Sequence, residues 1–101
     1  MSSRTDLQKK LEEILGSRNV YFQPPTNTMI QYPAIVYSLK RKESKFADNA
    51  KYLKLNCYEI IVIDKKPSNP AVDILLDFPY SLYDRNYVSD NLNHDVITLY
   101  F

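Results

Sequence analysis

The stretch that decides the fold is Leu53–Asp64, Leu-Lys-Leu-Asn-Cys-Tyr-Glu-Ile-Ile-Val-Ile-Asp. It is rich in β-branched and aromatic residues and holds no glycine or proline, which predicts a strand. Its first half alternates apolar and polar residues, and its second half is apolar on both faces. We therefore expect a strand that begins half-exposed and ends in the covered centre of a sheet. Alternation divides the side chains between two faces. One face carries Leu53, Leu55, Cys57, Ile61 and Ile63. The other face carries Lys54, Asn56, Tyr58, Ile60 and Val62.

A second strand is predicted at Ala34–Leu39, directly after Pro33. The two strands are joined by a polar connection, so they should pair antiparallel and form the spine of the fold. The connection, residues 40–52, contains five cations and two acids. We expect it to be a projecting, mobile loop. It is either simply solvated, or its cations dock on a partner subunit or lie near DNA phosphates. The cations are Lys40, Arg41, Lys42, Lys45 and Lys51.

Two helices flank these strands. Apolar residues at helical spacing predict a first helix over residues 5–15, with Thr5 and Gln8 as a capping box and Gly16 as its end. Gln8 is expected to face water. After it, residues 20–23 form a short extended piece ended by two prolines. A second helix is predicted over residues 70–77, capped by Ser68 or Asn69. The expected apolar stripe of the second helix is Val72, Leu75 and Leu76.

The C-terminal part predicts two more strands, residues 82–88 and 94–101, joined by a turn at 89–93. The last strand has apolar residues on both faces, which indicates burial or a subunit contact. The resulting fold class is α+β, with one four-stranded, mainly antiparallel sheet and two helices packed on it in two layers. The predicted element order is α-β-β-α-β-β. The predicted shared core comprises Leu55, Cys57, Ile61, Val36 and Leu75.

Composition sets limits on function. The chain has 101 residues, of which 45% are hydrophobic, and this suffices for one domain. Its formal charge of +1 gives no net attraction to nucleic acid or anionic membrane. With one cysteine, Cys57, and one histidine, His94, we expect neither a disulfide nor a metal site built from Cys and His. No apolar run spans a bilayer and no signal-peptide pattern is visible, so an unexported protein without a membrane segment is expected.

Catalytic motifs are missing from the sequence. A single glycine leaves little means of building a phosphate-binding loop, and no nucleophile motif is present. His94 and Asp95 are adjacent, but neighbouring strand residues point to opposite faces, so they should not form a catalytic dyad. We therefore expect no enzyme and no cofactor. Nine tyrosines suit half-buried sheet faces and subunit contacts alike.

Four segments together resemble small head-to-tail joining and tail-completion proteins of long-tailed bacteriophages. Among these proteins, the similarity is to the tail terminator group. The resemblance covers nearly the whole chain. It implies one domain, residues 1–101. It rests most on the Tyr-Pro-Ala-Ile-Val-Tyr strand and the Asp-Asn-Leu-Asn-His hairpin. The segments that carry it are Val20–Pro25, Tyr32–Tyr37, Tyr58–Asp64 and Asp90–Asp95.

This resemblance implies a small α/β subunit that forms a ring, commonly a hexamer, closing the head-proximal end of the tail tube and joining it to the head. It implies a virion protein assembled in the host cytoplasm, whose partners are itself, the tail tube protein and a head-completion or connector protein. DNA would pass through the ring lumen. The family offers no catalytic residues to transfer. A head-closure or connector protein at the same joint is an alternative, and a small nucleic-acid-binding module using residues 40–51 is another.

We expect the contacts of such a ring to come from two places. The aromatic terminal hairpin should contribute lateral contacts, and the charged connection should face a neighbouring ring or the lumen. The hairpin residues are Tyr83, Tyr87, Tyr100 and Phe101. The residues of the connection are Arg41, Lys42, Lys45 and Phe46.

Overall fold

The computed structural model describes residues 4–48 and 51–101, with side chains outside 41–55. The chain forms a two-helix, five-strand α+β fold, and the strands form one mixed sheet in the order β1-β2-β3-β5-β4. The fold class is as predicted, but there are five strands instead of four, in the order α-β-β-β-α-β-β. The elements are α1 (Arg4–Leu15), β1 (Val20–Phe22), β2 (Ala34–Asp48), β3 (Lys51–Asp64), α2 (Pro70–Leu76), β4 (Ser81–Ser89) and β5 (Leu92–Tyr100).

The additional strand is β1, which the sequence suggested only as an extended piece. It pairs parallel to β2, with Val20 opposite Ile35 and Phe22 opposite Tyr37. The strand ends at Gln23, which has a φ of 43° and whose side-chain Oε1 accepts a hydrogen bond of 3.0 Å from the Leu39 amide. Three residues give too short a pattern for alternation to identify a strand, and only the partner β2 makes this segment one.

The predicted hairpin of β2 and β3 is confirmed as the spine of the sheet, with the two strands antiparallel and Val36 opposite Ile61. The connection predicted as a loop is, in its described part, a continuation of both strands, from Arg41 opposite Cys57 to Asp48 opposite Lys51. Residues 49–50 lie outside the described residues. We call residues 41–48 and 51–55 the ribbon. It is two-stranded, because β1 pairs only with residues 35–37 and the C-terminal segment pairs with β3 from Asn56 onward. The loop prediction failed because charged residues mark solvent exposure, which a two-stranded ribbon also offers.

Two irregularities in β2 set the ribbon off from the sheet. The register with β3 shifts between Leu39 and Arg41 and again between Arg41 and Ser44, each time by one extra residue on β2. Such bulges bend the strand and increase its local twist. The molecule measures 47 × 23 × 21 Å along its principal axes.

Both helices pack on one face of the sheet, which we call the helix-covered face. The core lies between Leu7 and Leu11 of α1, Ala71 and Leu75 of α2, and the strand residues beneath them. On β3 these residues alternate, which places the other set of β3 side chains on the second face. The buried strand residues of the core are Val20, Ile35, Tyr37, Tyr58, Ile60, Val62, Ile97 and Leu99.

The predicted single core of five residues is therefore wrong. Leu75 belongs to the core, but Val36, Cys57 and Ile61 lie on the second face, where Cys57 is buried and the other two are half-buried. The side chain of Leu55 lies outside the described part. From Asn56 to Ile63 the division of β3 into two sets of residues was correct, and the side chains of residues 53–55 lie outside the described part. The apolar second half of the strand gave no signal of which set the helices cover.

Gln8 is a structural residue of α1 and does not face water. Its Oε1 accepts a hydrogen bond of 2.5 Å from the Tyr37 hydroxyl, and its Nε2 donates to the Val20 carbonyl at 3.1 Å. Burial raises the pKa of Tyr37. Thr5 lies inside the helix, so the predicted capping box is wrong, while the end at Gly16, with a φ of 79°, is confirmed.

The start of α2 follows the prediction. The Asn69 side chain caps the helix by accepting a hydrogen bond of 2.8 Å from the Ala71 amide, and Pro70 is the first helical residue. The Nδ2 of Asn69 also donates to Asp64 at 2.8 Å, which fixes the cap to the end of β3. The buried stripe is Ala71 and Leu75, while the predicted Leu76 is exposed.

Candidate assembly surface

The outer edge of β4 is the most prominent unpaired surface of the described chain. This strand stands last in the sheet and pairs only with β5. Its burial is low along nearly its whole length, with Leu82 and Val88 67% and 68% exposed. Large apolar side chains on an open sheet edge favour association with another chain. We call residues 81–89 with this free edge the β4 edge.

A tight turn holds β4 against β5. Asp90 and Asn91 form the two-residue loop between Ser89 and Leu92, with φ values of 53° and 63°. Positive φ at both positions matches the type I′ turn, whose twist suits a hairpin. Asn and Asp tolerate this conformation better than most residues, so the sequence fixes the hairpin without glycine. The turn predicted at 89–93 is confirmed in its place but is shorter than predicted, because Ser89, Leu92 and Asn93 belong to the strands.

A bulge in the middle of β4 changes which side its residues face. Tyr83 pairs with Ile97 on the helix-covered face, whereas Arg85 pairs with Val96 on the second face. Asp84 is the extra residue between them, and it makes an ion pair of 2.9 Å with Arg85. Charged residues at a bulge separate the apolar residues of the edge, and charges and bulges are a common means of preventing indiscriminate strand pairing.

A buried carboxylate anchors β4 from the helix-covered side. Asp95 of β5 is only 7% exposed. Its Oδ1 accepts hydrogen bonds from the Tyr83 hydroxyl at 2.7 Å and from Asn86 Nδ2 at 2.8 Å, and its Oδ2 accepts one from Asn93 Nδ2 at 3.0 Å. Three donors compensate for the desolvation of one carboxylate, so the network can hold the edge strand in place.

The same network changes the acidity of Tyr83. The hydrogen bond from its hydroxyl to Asp95 raises the pKa of Tyr83, and burial and the Asp95 charge act in the same direction. The neutral, donating form is therefore favoured in the folded protein. Tyr83 is 45% exposed, so its ring is available to a partner while its hydroxyl is engaged.

On the second face, Tyr87 lies flat against His94. Their rings are 4.6 Å apart and inclined by 12°, and the Arg85 guanidinium lies 5.8 Å from the Tyr87 ring centre. The His94 Nδ1 is 3.0 Å from the Leu92 carbonyl oxygen. His94 pairs with Ile63 and Asp95 with Val62, so the two residues lie on opposite faces and form no dyad, as predicted.

The start of β4 borders a shallow apolar cavity of about 220 Å³. Its walls are formed by Pro79, Tyr80, Ser81, Leu82 and Tyr100. Tyr100 is thus half-buried beside the β4 edge, where a partner covering Leu82 would also reach it. Phe101 packs partly against the core, and its amide donates a hydrogen bond of 2.9 Å to the Asn56 carbonyl.

The predicted contact residues thus fall into two groups. Tyr83 and Tyr87 lie on the β4 edge and Tyr100 lies beside it. Phe101 packs partly against the core. The side chains of Arg41, Lys42, Lys45 and Phe46 lie outside the described part, although their backbone belongs to the β2 half of the ribbon. The bulge separates Tyr83 and Tyr87 onto opposite faces, which no sequence pattern indicated.

Several important residues were not anticipated. Leu82 and Val88 are more exposed than Tyr83, Tyr87, Tyr100 and Phe101, and the Asp95 network was not foreseen. The exposure of Leu82 and Val88 could have been predicted, because β4 carries apolar residues at both even and odd positions. The network could not, because it depends on a register that only the hairpin sets.

Comparisons with models of protein families, with curated proteins and with solved structures find no match for this chain. Within the described ranges, neither helix has the length and apolar character needed to cross a membrane. The same residues contain no group of three or more His, Cys, Asp or Glu side chains placed to hold a metal ion.

Proposed function

We propose that this chain is a structural subunit of a long-tailed bacteriophage, a tail terminator that closes into a ring at the head-proximal end of the tail tube and joins it to the head. The observation that carries the proposal is the β4 edge. It combines a strand whose outer edge is unpaired with large exposed apolar side chains on both faces. A subunit with such an edge is suited to repeated contact with copies of itself.

The arrangement of polar groups also supports a structural role. Asp95 is fully engaged by Tyr83, Asn86 and Asn93, so its bonding serves the sheet. His94 is stacked under Tyr87 on the other face. The pair that most suggested acid–base chemistry is thus divided between two structural tasks.

Ring closure imposes a requirement on the surface. A stable contact buries on the order of 1,200 to 2,000 Å² in total, and a head-to-tail contact closes a ring only when two different surfaces meet. The β4 edge provides one of them. Six copies are the ring number implied by the resemblance, and the tail tube protein and a head-completion protein are the other partners. DNA would cross the lumen.

The proposal is tested by removing the chain from the phage that encodes it and imaging the particles. We expect heads and tails that fail to join, and joining restored by the wild-type chain supplied in trans. Complementation by Leu82→Ser with Val88→Ser should fail. The matched control is Met29→Ser, which changes a residue that is 90% exposed and lies outside the sheet.

Binding experiments separate the alternatives. A terminator should bind tail tube protein, whereas binding to portal-side proteins alone would identify a head-closure protein and overturn the terminator role. Tight binding to DNA oligonucleotides that weakens steeply with salt would instead identify a nucleic-acid-binding module.

A further inference from the structure

The sheet has a second unpaired region besides the β4 edge. In the described chain, no third strand pairs with the ribbon, whose β2 half runs from Arg41 to Asp48. The backbone donors and acceptors on the outer side of that half are therefore open to pairing. Eight residues span about 26 Å and the nine residues of β4 about 30 Å, so the two edges have matching lengths.

The two regions carry opposite charge. Residues 40–52 contain five cations and two acids. Residues 70–91, which include α2 and β4, contain four aspartates and one arginine, all of them exposed. The whole chain is nearly neutral at +1, so this is a separation of charge between two surfaces. Opposed patches of this kind favour contact between the two regions of different copies.

The position of the ribbon in the fold makes a contact with another copy geometrically reasonable. The ribbon continues from β2 and β3, and β5 lies between these strands and β4 in the sheet. The two bulges in β2 bend and twist the ribbon relative to the sheet from which it arises. One copy therefore presents the ribbon and the β4 edge at separate places, as a head-to-tail contact requires.

We propose that the ribbon of one copy adds as an extra pair of strands to the β4 edge of the next copy, so that one sheet continues around the ring. This inference rests on the proposed function and deepens it. It assigns the charged connection to the lateral contact, instead of to a neighbouring ring or the lumen. This pairing brings the basic segment 40–52 next to the acidic segment 70–91 of the neighbour.

Charge exchange tests this contact with the full chain. The ribbon variant is Lys42→Glu with Lys45→Glu, and the edge variant is Asp84→Lys with Asp90→Asn. We expect each variant alone to self-associate at least tenfold more weakly than the wild type. Asp84 and Arg85 form an exposed ion pair, so its loss should cost little stability. Lys9→Glu with Lys10→Glu on α1 is the matched control and should assemble normally.

Mixing the two variants gives the sharpest result. In an equimolar mixture the ribbon of one variant meets the edge of the other with complementary charge, so assembly should return. The two variants should alternate around each ring, so every ring should contain an even number of copies. Two variants that stay apart when mixed, or a single variant that assembles as well as wild type, would overturn the inference.

The backbone pairing has its own test. Val88 precedes Ser89, which flanks the two-residue turn, so its amide points away from β5. Val88→Pro should therefore leave the hairpin folded and block an incoming strand. Val88→Thr keeps the backbone donor and loses only part of the apolar surface, so its association should weaken clearly less than that of Val88→Pro. Circular dichroism verifies that each variant is folded. If Val88→Pro unfolds, the mixing experiment with the two charge variants alone tests the contact between the ribbon and the β4 edge.

These outcomes separate the two proposals. A wild-type chain that stays monomeric at every concentration would overturn the ring itself. Wild-type rings that tolerate both charge variants and a folded Val88→Pro would overturn only the contact between the ribbon and the β4 edge.

Discussion

The hydroxyl of Tyr83 donates a hydrogen bond of 2.7 Å to Oδ1 of Asp95 and so ties the edge strand β4 to its neighbour β5. Asn86 donates to the same oxygen at 2.8 Å. An edge strand has only one neighbour to hold it, so side-chain bonds of this kind matter more there than in the centre of a sheet. The network therefore connects the stability of the hairpin to the shape of the candidate assembly surface.

Removing the Asp95 carboxylate should loosen this strand. We expect Asp95→Ala to lower the free energy of unfolding by about 1 to 3 kcal/mol, because three donors lose their acceptor. Urea unfolding followed by circular dichroism measures the change. Asp84→Ala is the matched control, since it removes an exposed carboxylate one strand away and should cost no more than about 1 kcal/mol. Equal losses for the two variants would show that the buried network adds no stability.

Tyr83 should titrate above the ordinary tyrosine value of 10.0. Its folded pKa is raised, so its contribution to stability is fully present below pH 10 and is lost as the pH rises through the raised value. NMR of tyrosine ring carbons follows this titration, with Tyr83→Phe identifying the signal. Asp95→Asn removes the negative charge and should bring the pKa of Tyr83 back toward 10.0. A Tyr83 pKa at or below 10 in the wild type would contradict the described bond.

Ile60 and Ile61 are neighbours that should respond differently to the same change. Ile60 is buried in the core, and Ile61 is half-buried on the second face. Ile60→Ala should cost about 2 to 5 kcal/mol of unfolding free energy, and Ile61→Ala should cost clearly less. Each variant serves as the control for the other in thermal or urea unfolding. A larger loss at Ile61 would mean that the helices cover the opposite face.

The exposed apolar residues of β4 should serve association and not folding. Leu82→Ser with Val88→Ser removes two side chains that are 67% and 68% exposed, so the unfolding midpoint should change little. Self-association, measured by sedimentation, should weaken about 25-fold or more, because the two truncations together should cost at least about 2 kcal/mol of binding. Met29→Ser is the control for a similar loss of exposed apolar surface. Unchanged association of the double variant would remove the β4 edge from the contact.

The sequence was informative wherever a local signal decided the structure. Leu53–Asp64 predicted the central strand, Gly16 the end of α1, and Asn69 with Pro70 the start of α2. The tight turn at Asp90 and Asn91 could likewise be predicted, because these residue types tolerate positive φ. Each of these features depends on neighbours within a few residues.

The features that the sequence left open depend on distant partners. Val20–Phe22 is a strand only because Ile35 and Tyr37 lie beside it. Ile60 and Ile61 are equally apolar, so their pattern could not tell which face the helices cover. The extra residue at Asp84 reverses the phase of β4, and the positions of Tyr83 and Tyr87 follow from that shift. Registers and bulges of this kind are set by pairing across the sheet.

We propose that copies of this chain close into a ring through the β4 edge, and counting the copies in its assemblies tests this proposal. Native mass spectrometry of the purified chain, across a range of concentrations, gives that count. We expect one dominant closed species, with six copies as the family resemblance implies. This species should disappear in Leu82→Ser with Val88→Ser and persist in Met29→Ser. A monomer at all concentrations, or the same closed species in the β4 double variant, would contradict it.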